Sequence, residues 1–168
     1  KIVKEEYERH KYLMESDVLA SYEKETYQDI LTMKADDLFY TSGLKDLSNY
    51  LYRYYGEKVI ILIDEYDAPI QSGYLNGFYD KIINFMRNFL SGGLKDNIAL
   101  KKGILSGILR IAKESIFSGL NNLSVYNILN SKYNKYFGLL EDETYSLLNY
   151  YGYQEKLAEV TEWYNGYN

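Results

Sequence analysis

The 168 residues carry 19 Lys and Arg against 24 Asp and Glu, a net charge of −5, with one histidine and no cysteine. Such a chain can build no disulfide framework, thiolate metal site or multi-histidine metal site, and its acidic balance argues against a nucleic-acid-binding surface. A hydrophobic fraction of 46% suits a globular domain with a core, no apolar run is long enough to span a membrane, and no signal peptide is evident, so the cytoplasm is expected.

Lys1 to Leu19 is charged, with Val3, Tyr7 and Met14 near helical spacing. It reads as an amphipathic helix that begins upstream of Lys1, so the chain reads as a piece of a longer protein. Ser21 to Lys34 predicts a second helix with Tyr27, Ile30 and Leu31 on one side, Ser16 and Ser21 being candidate caps. His10 lies among Glu8, Arg9 and Lys11, the setting of a solvated helix position rather than a catalytic one. Thr41 to Tyr55 places Leu44, Leu47 and Leu51 at three- and four-residue steps, and Gly56 suits the helix C-terminus.

The next stretch is KVIILIDEYDAPI, Lys58 to Ile70. Val59 to Ile63 is short, rich in β-branched residues and apolar at every position, which predicts a central strand buried on both faces. It runs directly into Asp64 and Glu65. Ligands of open α/β sheets bind at the carboxyl ends of strands, and a strand ending in Asp-Glu is the Walker B pattern. There the Asp serves a magnesium ion and the Glu the attacking water. On an extended backbone the two side chains diverge to opposite faces, which suits two separate tasks. Asp67 reads as a cap for the following turn or helix, and Pro69 fixes the backbone behind the acids.

Gly73 and Gly77 loosen the chain, and Phe78, Ile82, Phe85, Phe89 and Leu90 give a further helical stripe that Ser91, Gly92 and Gly93 end. KGILSGILRI, Lys102 to Ile111, predicts a second parallel strand over Gly103 to Ile108, completing a βαβ unit. Ser106 and Arg110 fall at or near its carboxyl end. Ala112 to Asn122 reads as a loop with a short helix, with Lys113 and Glu114 as a solvated pair. From Ser124 the pattern is helical: Val125 to Asn130, Glu141 to Tyr151 and Glu155 to Tyr164, separated by Gly138 and Gly152. The organisation is an α/β part over 1–123 and a helical continuation of the same domain over 124–168.

A phosphate-binding loop needs G-x-x-x-x-G-K-[ST], so that backbone N–H groups cradle phosphates and a lysine neutralises them. No such sequence occurs in the 168 residues; Gly92-Gly93-Leu94-Lys95 has the wrong spacing. A metal-dependent nuclease built on Asp64, Glu65 and Asp67 would want an acid-x-Lys pair, and no Glu-x-Lys occurs.

IILIDEYDAPI, SGYLNGFYDKIINFMRNFLS, GILRIAKESIFSGLNNL and WYNGY together resemble the bacterial AAA-ATPase-like family, and the resemblance covers nearly the whole chain. That family is similar to STAND-type P-loop ATPases and often carries a C-terminal PD-(D/E)xK nuclease-like domain. The resemblance implies a partial P-loop NTPase-type three-layer α/β sandwich with parallel strands, followed by a helical segment. It implies Asp64 as the magnesium acid and Glu65 as the catalytic acid, with Arg110 as the sensor-like catalytic group and Ser106 as the second candidate facing nucleotide. ATP and Mg2+ are then expected in the intact parent and not on this segment, which lacks the Walker A half. A nucleotide-dependent switch or an interaction scaffold without hydrolysis is the competing function. A missing neighbour strand beside the Ser106 strand also predicts self-association.

Overall fold

A computed structural model describes residues 1–108, 116–117, 120 and 123–165. Two compact units divide it, Lys1–Leu123 and Ser124–Asn168.

The first unit opens with α1 (Ile2–Arg9), a 3-10 turn (Lys11–Glu15) and α2 (Ser21–Thr32). The single helix expected over Lys1 to Leu19 is broken at His10. There the His10 N–H bonds back to the Tyr7 carbonyl and the 3-10 turn follows. Neither predicted serine caps α2. Ala20 takes the N-cap position, and its N–H donates to Glu23 Oε2 at 2.8 Å. Ser16 instead donates its hydroxyl to the Leu13 carbonyl at 2.6 Å, closing the 3-10 turn. The next helix, α3 (Asp37–Tyr55), starts four residues ahead of the expected Thr41 and ends at Gly56, whose φ of 70° is the left-handed cap conformation that glycine adopts without a Cβ clash.

These elements enclose a core of Tyr7, Leu13, Leu19, Tyr27, Ile30, Leu31, Leu47 and Tyr50. Three of its members are tyrosines, and burying them requires partners for their hydroxyls. Tyr27 donates to the Tyr7 carbonyl at 2.7 Å and Tyr7 donates to the Gly43 carbonyl at 2.9 Å. One phenol therefore ties α2 to the end of α1, and the other ties α1 to α3. The Tyr7 and Tyr27 rings pack 4.6 Å apart. Burial pushes the Tyr7, Tyr27 and Tyr50 hydroxyls up from the ordinary tyrosine range, with neighbouring acidic and phenolic groups adding to the shift.

The chain then lays down β1 (Val59–Ile63), α4 (Ala68–Leu75), α5 (Tyr79–Leu94) and β2 (Leu100–Leu105). β1 and β2 pair in parallel, with Ile61 opposite Gly103 and Ile63 opposite Leu105, and a register shift between Val59 and Ile60. Parallel pairing is what the sequence predicts, but β2 lies three residues earlier than Gly103 to Ile108. Lys101 and Lys102 occupy strand positions, and their long side chains stand at the sheet surface, where an apolar-run criterion does not find them.

α3 packs on β1, α5 packs on β2, and α3 packs on α5. The second core forms between them: Ile61, Ile70, Ile83, Met86, Leu90, Leu94, Ile116 and Leu120, with Val59, Ile63, Leu100 and Leu105 against it. Alternation along the strand puts Ile60 and Leu62 on the other side, where they are 56% and 71% exposed, beside Ile104. Among the described residues, helices cover one face of the sheet. The strand expected to be buried on both faces is buried on the odd-numbered one only.

α5 runs through the Ser91-Gly92-Gly93 stretch expected to end it. Gly93 is buried, and a Cβ there would come 2.4 Å from Leu44 Cδ2. It is the point where α5 approaches α3, one residue before the helix ends at Leu94. The mixed α/β class, the parallel strands and the crossover between them are present.

The second unit comprises α6 (Glu141–Tyr151) and α7 (Leu157–Tyr164), with 3-10 turns at Asn134–Tyr136 and Gln154–Lys156. Acids in the first turn of α6 complement its N-terminal dipole, the Leu140 N–H donates to Glu143 Oε2 at 2.8 Å, and Gly152 closes the helix at φ 76°. Neither helix buries a residue. Among the described residues no helix is long and apolar enough to cross a membrane.

Candidate functional site

The parallel ladder does not stop where the strands do. Beyond Ile63 and Leu105, the Ser106 N–H donates to the Ile63 carbonyl at 2.9 Å, and the Tyr66 N–H donates to the Ser106 carbonyl at 3.1 Å. These bonds hold the segment after β1 (Asp64 to Asp67) against the segment after β2 (Ser106 and Gly107). Both lie at the carboxyl end of the sheet, where open α/β folds place ligands.

Asp64 is the centre of this corner. Its Oδ1 accepts from the Ser106 hydroxyl in a short hydrogen bond, and from the Glu65 N–H at 2.9 Å. One carboxylate oxygen is thus fixed by two donors from two segments while the residue stays exposed. Three of the four residues singled out from the sequence, Asp64, Glu65 and Ser106, therefore meet at one place. Arg110 lies outside the described residues, as do Lys113 and Glu114.

Glu65 departs from the expectation. Its φ is +50°, the left-handed region that a residue with a Cβ enters at a cost of roughly 1–2 kcal/mol. β1 has ended at Ile63, so Asp64 and Glu65 do not alternate as strand residues do, and the argument for opposite faces does not hold. The turn instead aims the Glu65 N–H at Asp64 and its carbonyl at the Ala68 N–H, 3.0 Å away. Strained non-glycine residues persist where the surroundings over-determine them, and they cluster at functional sites. Glycine at position 65 releases the strain but loses more freedom on folding, by roughly 0.5–1 kcal/mol. We expect Glu65→Gly to stabilise the chain by about 0.5 kcal/mol, against a loss for Glu65→Val; thermal denaturation of both variants checks this, and a destabilised glycine variant would refute the strain.

Asp67 was expected as a helix cap. It stands at the N-cap position of α4, and its carbonyl accepts from the Ile70 and Gln71 N–H groups at 3.0 Å each, but its side chain makes no cap bond. The carboxylate is turned inward at 2% exposure, with Oδ2 accepting from Gln71 Nε2 at 2.9 Å. Pro69 falls in the first turn of α4, where its missing N–H costs no helical bond.

Gly107 is the residue that sequence reasoning missed. A Cβ on it would sit 2.6 Å from Asp67 Oδ1 and 2.7 Å from Tyr66 Cε1. Tyr66 in turn packs edge-on against Phe117 at 5.3 Å. The clashing atoms are a rigid ring and a buried carboxylate, neither of which can swing aside. We expect Gly107→Ala to cost about 1–3 kcal/mol, read as a lowered denaturation midpoint. The one available signal was a glycine two residues past a strand end, which by itself reads as a turn.

The donor set suits one divalent cation contact. Among the described residues no three acidic or imidazole side chains gather into a cage. A magnesium ion in phosphate chemistry does not need one: it takes one or two carboxylates and completes its shell with water and substrate oxygens. Asp64, with one oxygen engaged and the residue exposed, fits that role. Phosphate groups do not find a cradle among the described residues. Gly92 and Gly93 lie within α5, one of them pressed on Leu44, so Gly92-Gly93-Leu94-Lys95 is a helix end rather than a phosphate loop. A depression of about 450 Å³ on the second unit, lined by Leu139, Asp142, Glu143, Ser146, Leu147 and Tyr150, includes none of the clustered residues.

Comparison with known proteins bears on this corner. The family model described as predicted AAA-ATPase matches residues 3–117. An uncharacterized protein encoded in the vnfD 5' region of Azotobacter chroococcum mcd 1 is 35% identical over 115 residues, 67% of this chain and 22% of that protein. The match thus spans about a fifth of that relative's length. No solved structure matches.

Proposed function

The chain belongs to the AAA-ATPase-like family, and on that premise we propose that it carries the acidic half of an ATP-hydrolysing site. The observation that supports this reading is the corner itself. Adjacent carboxylates follow a parallel strand, and the Ser106 hydroxyl from the neighbouring strand end holds the first of them, Asp64. A magnesium ion held there by Asp64 would supply positive charge that neutralises the phosphate groups. Asp64 binds that ion, directly or through water, and Ser106 keeps its carboxylate oriented. Glu65 accepts a hydrogen bond from the attacking water and draws on its proton. Arg110 is assigned to the same nucleotide-facing role as a charge-stabilising group.

The phosphate cradle belongs, on this reading, to a part of the protein outside residues 1–168. That part also supplies strands beside β1 and β2 and covers the Ile60, Leu62 and Ile104 face, completing a P-loop-type three-layer sandwich. Left without it, the unpaired strand edges favour self-association of the isolated chain.

The test has two arms. Residues 1–168 titrated with Mg-ATP by calorimetry are expected to bind no more tightly than about 1 mM, equivalent to about −4 kcal/mol, because the phosphate donors are elsewhere. In the intact protein Asp64→Asn is expected to weaken Mg-ATP binding while leaving Mg-free nucleotide binding nearly unchanged. Micromolar binding by residues 1–168, or an indifferent Asp64→Asn, would overturn the assignment.

A further inference from the structure

The buried acid of this corner, Asp67, touches the segment that leaves β2. Asp67 is 2% exposed although it lies three residues from the exposed Asp64. Burying a carboxylate is costly unless its oxygens are engaged, and here Oδ2 accepts from Gln71 Nε2 at 2.9 Å. Its other oxygen faces Gly107, so closely that a Cβ there would come within 2.6 Å. The same Cβ would come 2.7 Å from the Tyr66 ring, and the Tyr66 N–H is bonded to the carbonyl of Ser106. The segment leaving β2 is therefore packed closely against two consecutive residues of the acid loop.

We infer that Asp67 is a positioning residue: with Tyr66 it clamps Gly107, and thereby keeps the Ser106 hydroxyl on Asp64 and one Asp64 oxygen turned outward. Beyond the end of β2 at Leu105, two backbone bonds hold Ser106, to the Ile63 carbonyl and from the Tyr66 N–H, and the packing at Gly107 is what keeps them in place. A hydroxyl free to rotate away would leave Asp64 with the Glu65 N–H alone. Only a glycine fits the clamp, because each jaw already stands within 3 Å of where a Cβ would be. Gln71, one turn into α4, sets the carboxylate from behind and couples its orientation to the helix. The cation-binding role of Asp64 rests on the function proposed above; the clamp does not.

Hydrogen exchange on the intact protein separates the two. Asp67→Asn keeps the volume and removes the charge. Exchange at the Tyr66 and Ser106 amides, which close the ladder, should accelerate about tenfold or more as this corner opens locally more often. Amides in the Tyr7–Tyr27–Tyr50 core should exchange at the wild-type rate. Gln71→Ala, at an exposed helical position, removes only the bond behind the carboxylate and should give the same pattern about threefold more weakly. In the hydrolysis assay, the KM for Mg-ATP should rise about tenfold or more, as expected of a residue that acts through Asp64.

If Tyr66 and Ser106 exchange as in wild type in both variants, or if exchange rises uniformly across both cores, the clamp is refuted. Should Asp67→Asn fail to fold, Gln71→Ala decides alone on the same two amides. Local acceleration in a protein whose wild type does not hydrolyse ATP would uphold the clamp and overturn the proposed function.

Discussion

Glu65→Gln in the intact protein is expected to bind ATP nearly as tightly as wild type and to hydrolyse it at least about 100-fold more slowly. The glutamine keeps the shape of the side chain but removes its charge and its basicity. General-base assistance or positioning of this kind contributes about 10²–10⁴-fold in rate, which converts to about 3–5.5 kcal/mol of barrier. The backbone part of Glu65 survives the change: its N–H still donates to Asp64 Oδ1 and its carbonyl still receives the Ala68 N–H. Binding through Asp64 should therefore be spared, and Glu65→Gln separates affinity from turnover where Asp64→Asn does not. Single-turnover hydrolysis beside equilibrium binding measures both. Equal hydrolysis rates would remove Glu65 from the chemistry and favour a nucleotide-dependent switch.

Stability should collapse in alkali more steeply than in a protein with a conventional aliphatic core. Tyr7, Tyr27 and Tyr50 are 1%, 0% and 6% exposed. Burial raises the pKa of each above the ordinary value of 10.0, with Asp46 and the neighbouring phenols adding to the effect at Tyr7 and Tyr50. Tyr12, hydrogen-bonded to Tyr55 at 2.9 Å, is raised as well. Below pH 10 the folded and unfolded chains both hold these protons, and stability is insensitive to them. Above pH 10 the unfolded chain releases protons that the folded chain keeps, so stability is lost as pH rises toward the folded values. Each such group contributes about 1.4 kcal/mol per pH unit, and the three buried ones together reach about 4 kcal/mol per unit. Urea midpoints between pH 8 and 11.5 should be flat and then fall sharply. Tyr27→Phe should lower stability at pH 8, because the Tyr7 carbonyl loses its donor, yet make the alkaline fall shallower by about a third. A midpoint unchanged up to pH 11 would show that these tyrosines do not control it.

The parts of this structure that sequence could determine share one property: their cause is local. Val59 to Ile63 is rich in β-branched residues, apolar and followed by acids, so its backbone has one good choice. Leu44, Leu47 and Leu51 repeat at helical spacing, and Gly56 alone among nearby residues accepts a positive φ cheaply, so α3 and its end are legible. Two apolar runs separated by a helical stripe are too far apart for a hairpin, which left parallel pairing. The acids at one strand end and the serine at the other follow from that pairing, and Asp64, Glu65 and Ser106 meet as a consequence.

What tertiary structure alone decided depends on distances between segments that no local window contains. Gly93 reads only as part of a helix end until Leu44 of another helix is seen to fill the space its side chain would take. β2 begins at Leu100 because pairing with Val59 and Ile60 carries the ladder through two lysines that no hydrophobic criterion would include. Glu65 reads as one more strand residue until the bonds of its N–H and carbonyl fix a left-handed turn. Asp67 reads as a cap because capping is what an aspartate before a proline-bearing helix does in isolation. Here the β2 exit comes within van der Waals range of its carboxylate, Gln71 reaches it from α4, and burial becomes the lower free-energy arrangement.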